Sequence, residues 1–170
     1  MAAIKILQIL PLFAFLLTVL LCGCPLPEAK RREKAIHITS FSFTHSGMST
    51  TECFHYSIQQ TEEGVRLYTE ELFAGGQIVD SIIQEPVLEQ LEKVAEKYRL
   101  DLWDGFDKRN RQIQDGSSFS LSMTLADGWH ISAKGSNRFP DRYANAKGEI
   151  CAIFEELMKQ YENRSVRPVE

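Results

Sequence analysis

The chain has 170 residues, 44% hydrophobic and 25% charged, with 19 Lys+Arg against 23 Asp+Glu for a formal net charge of −4. That length supports one domain whose core holds without cross-links. The acidic balance excludes a general nucleic-acid binder, which needs a basic face, and no internal repeat, low-complexity tract or phosphate-cradling glycine loop is visible.

Residues 1–23 read as a leader. Lys5 and the amino terminus give a positive start, and Ile9 to Gly23 then runs 15 residues without a charge. A spanning helix wants about 20 apolar residues, so the run fits a signal-peptide core better, with an uncleaved anchor as the alternative. Gly23 supplies the small residue that a peptidase pocket accepts before the cut. A metal site at Cys22 and Cys24 lacks the second cysteine pair that a four-ligand zinc centre requires.

The stretch Leu21-Cys22-Gly23-Cys24 resembles the lipobox of bacterial lipoproteins. The resemblance implies cleavage between Gly23 and Cys24 and a thioether-linked diacylglycerol on Cys24. It also implies a partner, the membrane, reached through that lipid from the extracytoplasmic face. Two acyl chains suffice for stable attachment. Cleavage removes only Lys5 among the charged side chains and leaves 18 basic against 23 acidic groups, a net charge of −5. Residues 24–35 then form the lipid anchor and a charged tether, Glu28 to Lys34 carrying four basic and two acidic side chains. A solvated tether explains that cluster, and contact with anionic head groups is the alternative.

A single domain is expected over residues 36–162, with a disordered tail at 163–170. Ile36 to Phe43 reads as a first strand whose apolar residues change face between Ile38 and Phe41, which predicts a bulge near Ser40. Phe54, Tyr56 and Ile58 alternate with His55 and Ser57 as a second strand. Val65, Leu67 and Thr69 continue the alternation beyond a turn, and Ile78 to Ile83 follows Gly75-Gly76 as another strand. Pro86 fits the start of a helix whose apolar residues are Leu88, Leu91, Val94, Ala95 and Tyr98. The last helix carries Ile150, Ile153, Phe154, Leu157, Met158 and Tyr161 on one stripe.

Between the helices, Phe119, Leu121, Met123 and Leu125 alternate with Ser118, Ser120, Ser122 and Thr124. Trp129, Ile131 and Ala133 form a partner strand beyond Asp127-Gly128. A two-residue turn would set the apolar row of one strand against the polar row of the other, and opposed residues share a face. A three-residue loop pairs Leu125 with Trp129, Met123 with Ile131 and Leu121 with Ala133, so that all six face one core, with Gly128 left-handed. The sum is an α+β fold: two helices packed on a largely antiparallel sheet of about six strands, in the order β-β-β-β-α-β-β-α. Its layout resembles that of the uncharacterised domains of small bacterial lipoproteins.

The antiparallel hairpin brings the segment entering it, Trp103 to Gly116, beside the segment leaving it, Ser136 to Tyr143. Trp103, Phe106, Phe139 and Tyr143 should then meet near Asp104, Asp107, Arg109 and Arg138, a combination suited to recognition. The competing reading makes Trp103 and Phe106 core lids, with Asp104 and Arg138 as a surface ion pair. Cys53 and Cys151 are exported with the domain, where a disulfide is permitted; two buried free thiols would look the same in sequence. Catalytic, cofactor and metal motifs are not evident. His37, His45, His55 and His130 lack ligand spacing and read as exposed, and Asp101, Asp104 and Asp107 do not match a calcium loop. The expected function is a membrane-tethered binding or interaction module. A small extracytoplasmic hydrolase using His45 or the Trp103–Asp107 loop is the alternative, and a structural envelope component a third.

Overall fold

The computed structural model describes residues 35–49, 52–71, 78–84, 86–113 and 115–165, with side chains described as far as Gln160. The leader, Cys24 and all but the last residue of the tether lie outside these residues. Among the described residues no helix is long and apolar enough to cross a membrane.

Among the described residues, seven strands and two helices make an α+β fold, one strand more than expected. Strands β1 (Ile38–Ser46), β2 (Phe54–Thr61), β3 (Gly64–Glu71) and β4 (Ile78–Ile83) precede helix α1 (Val87–Tyr98). A 3₁₀ helix (Leu100–Trp103), β5 (Asp107–Arg109), β6 (Ser118–Leu125), β7 (His130–Ser136) and helix α2 (Tyr143–Ser165) complete the domain. The sheet order is β4-β3-β2-β1-β6-β7-β5, antiparallel throughout except where β5 joins β7 in parallel. Helix α2 begins at Tyr143, well before Ile150, and runs to Ser165, into the stretch read as tail.

One face of the sheet is apolar. Phe41, Phe43, Tyr56, Ile58, Leu67, Leu121, Met123, Ile131 and Ala133 are all buried there. Both helices cover that face: Phe154 of α2 stacks on Tyr56 at 4.5 Å between ring centroids and reaches Phe41 at 6.5 Å. Removing a side chain of that size from water contributes about 1.5–3 kcal/mol. Helix α1 buries Val87, Leu91, Val94 and Ala95, with Leu88 and Tyr98 only partly covered. The bulge falls where the apolar residues change face, because Ile38 pairs with Leu125 while Ser40 pairs with Thr124.

The β6–β7 hairpin has the three-residue register. Leu121 opposes Ala133 and Met123 opposes Ile131, the Leu125 amide donates to the Trp129 carbonyl, and Gly128 is left-handed at φ 82. Trp129 departs from expectation. It is 41% exposed, because it lies at the loop end of the hairpin, outside β7 as well as the sheet core.

Among the described residues, no helix lies over the opposite face. Rows of small polar side chains cross it, such as Ser57–Ser42–Ser122–Ser132 and His55–Thr44–Ser120–Lys134.

Candidate functional site

Helix α1 ends at Arg99, which takes the left-handed conformation (φ 55) and returns its amide to the Glu96 carbonyl. The chain turns at once into the 3₁₀ helix, burying Leu100 and Trp103 and leaving Leu102 52% exposed. The backbone then docks on β7: Gly105 donates to the Ser132 carbonyl at 2.9 Å, and Lys134 donates to the Phe106 carbonyl at 2.7 Å. Asp104 takes part in this docking by accepting the Ser132 amide at 3.0 Å. It is therefore a backbone anchor, not the partner of Arg138. These bonds place β5 beside β7, a strand the sequence pattern does not predict.

The segment leaving β7 folds back tightly. A Cβ on Gly135 would lie 2.1 Å from the Arg138 carbonyl oxygen and 2.7 Å from the Phe119 ring, so only glycine fits there. Arg142, in the left-handed region at φ 60, then starts α2 by accepting the Ala146 amide.

The expected aromatic gathering exists, with Phe119 at its centre. Trp103, Phe106, Phe139 and Tyr143 surround Phe119 at centroid distances of 6.2, 6.1, 5.8 and 4.7 Å. Its members divide by depth. Tyr143 and Trp103 are core residues, 7% and 3% exposed, whereas Phe139 is 38% exposed. Tyr143 thus leaves the candidate surface, and Trp103 serves as its floor.

Beside this cluster lies a cavity of about 500 Å³. Tyr98, Leu102, Trp103, Phe106 and Phe139 form its apolar walls, and Arg99, Lys108 and Arg142 bring three cations against the single carboxylate of Asp141. Arg99 is bound in bidentate fashion by Asp101 at 2.9 and 2.7 Å. The Lys108 ammonium sits 5.2 Å from the Phe106 ring centroid. After that pairing, Lys108 and Arg142 outnumber Asp141, and the cavity keeps a positive balance.

Strand β5 splits the remaining expected residues. Pleating sends Asp107 and Arg109 to the open face of the sheet while Lys108 serves the aromatic side. Arg138 is exposed and does not line this cavity. Sequence reading missed Arg99, Leu102, Lys108 and Arg142. The available signal was "YRLDLW", where Tyr98 closes the helical stripe and Arg99 must leave it.

His45 is not exposed as expected. Strand β1 extends three residues beyond Phe43 and turns His45 into the core, 2% exposed, where Nδ1 lies 2.8 Å from the Tyr143 hydroxyl. Its Nε2 has no hydrogen-bond partner among the described residues. Burial, reinforced by Lys147 and opposed by Glu52, pulls its pKa below the ordinary histidine value and disfavours the charged form. The base of the hydrolase alternative is therefore sealed away from the cavity. Cys53 and Cys151 are free thiols lining a smaller cavity of about 200 Å³ with Lys147 and Glu155. Burial pushes the Cys151 thiol up to about 11. Among the described residues no group of His, Cys, Asp and Glu is placed to hold a metal.

No family model matches the chain, and no curated protein is significantly similar to it.

Proposed function

We propose that the protein is a membrane-tethered extracytoplasmic lipoprotein that acts as a binding module, its ligand a small organic anion with an apolar body. The tethering rests on the lipobox-like stretch ending at Cys24. The binding reading rests on one observation, the aromatic-walled cavity between the end of α1 and the start of α2, with its surplus of cations. Cavities of a few hundred Å³ that combine apolar walls with a few charged groups are the usual form of a small-molecule site.

The backbone supports this reading. Left-handed residues other than glycine cost roughly 1–2 kcal/mol and gather at functional sites. Arg99 and Arg142 are two of the three such residues among those described, and both line the cavity. Glycine would suit either backbone better, and the chain carries a guanidinium at each.

The test separates binding from folding. Arg142→Gly relieves the left-handed strain, so stability should stay level or rise by about 1 kcal/mol. Titration with anilinonaphthalene sulfonate, an anionic aromatic probe, should show saturable binding to the wild-type protein and several-fold weaker binding to the variant. Equal affinity for both proteins would count against the cavity as the site.

A further inference from the structure

We infer that the open face of the sheet carries a second binding site, an oxyanion site at the β1–β6–β7–β5 corner that takes a phosphate group. A trough of about 350 Å³ lies there, sharing only Lys108 with the lining of the aromatic cavity. Register builds it. Thr44, Ser120 and Lys134 are consecutive partners in one cross-strand row, and Ser118, Ser136 and Arg109 are consecutive partners in the next. Neighbours in such rows stand about 5 Å apart, within reach of a single tetrahedral anion.

The chemistry of the lining is one-sided. The hydroxyls of Thr44, Ser118, Ser120 and Ser136 belong to residues that line the trough, together with Phe119 and Gly135. None makes a hydrogen bond to another described residue, although Ser42 and Thr124 on the same face are bonded to His55 and His130. The only lining carboxylate, Asp107, is occupied by Lys134 at 3.1 Å. Arg109 has no ion-pair partner among the described residues, and Lys108 adds a cation at the shared edge. Four unspent hydroxyls beside an unpaired guanidinium match a group that only accepts hydrogen bonds and carries negative charge. Phosphate has the oxygens to meet several of these donors at once. The charged side chains are exposed and screened, so binding should be weak and should decline with salt.

The experiment follows backbone amide chemical shifts of the detergent-solubilised full protein while inorganic phosphate, or separately glycerol phosphate, is added at constant ionic strength. Saturable shifts at Thr44, Ser118, Ser120 and Ser136 are expected. Arg109→Glu should weaken them about tenfold, as reversal of one charged contact allows, whereas Arg138→Glu, an exposed cation outside the trough, should leave them unchanged. Tighter binding of glycerol phosphate assigns the site to a phosphate ester, and parity assigns it to the free ion; both uphold an oxyanion site. Absent saturation, or equal weakening by Arg138→Glu, overturns it. Arg142→Gly should not alter the titration, so this site and the aromatic cavity stand or fall separately.

Discussion

His45 shows how a single residue can escape a sequence reading. The alternation Phe41, Phe43, His45 continues the buried face of β1, but a histidine in a polar context looked like an exposed loop residue. The pairing of His45 with Phe54 and Phe119 carries it inward. Tyr143, 98 positions away, supplies the hydrogen bond that makes burial tolerable, and no local pattern announces that partner. A pH effect follows. Below 6.5 the unfolded chain binds a proton that the folded His45 resists, so the unfolded state takes up more protons. Stability should hold above 6.5 and decline as pH falls through it. Lys147 and Glu52 act on the same imidazole with opposite signs. In His45→Phe this component should vanish, while overall stability drops by about 1–3 kcal/mol because the Tyr143 hydroxyl loses its partner. Denaturant unfolding of both proteins between pH 5 and 8 checks it; an unchanged slope in the variant would show that His45 is not the group responsible.

At the scale of elements, strong periodicity was legible and backbone docking was not. Strands β1–β4, β6 and β7 and both helices declare themselves through alternation or helical stripes, and opposed faces determine the β6–β7 register. Strand β5 is Asp-Lys-Arg, wholly exposed, so it carries no apolar signal and is held by main-chain bonds to β7. For the same reason the candidate surface was half visible. Hairpin geometry foretold that Trp103, Phe106, Phe139 and Tyr143 would meet, but the pleat of an unseen strand sorted Asp107 and Arg109 from Lys108. Gly135 offers a test of how closely the segment after β7 folds back. Gly135→Ala collides with the Arg138 carbonyl and two rings, and should destabilise by about 1–3 kcal/mol through overpacking. Gly128→Ala meets nothing within 4 Å and should cost only about 1 kcal/mol of left-handed strain. Thermal melts of the two variants should rank in that order; the reverse order would mean that the fold-back is not close-packed.

At the scale of the molecule, the described residues leave one face of the sheet covered by helices and the other without one, and two cavities lie near its β5 edge. Both carry surplus positive charge on a chain that is acidic overall. On the proposed reading, the ligands that reach them are set by the compartment, and the compartment by the expected leader and Cys24. The most direct measurement is the mass of the N-terminal peptide of the protein extracted from membranes of the cell that makes it. Loss of Met1 to Gly23 together with a diacylglyceryl thioether on Cys24 is the predicted result. A soluble, full-length chain bearing an unmodified Cys24 thiol would contradict it.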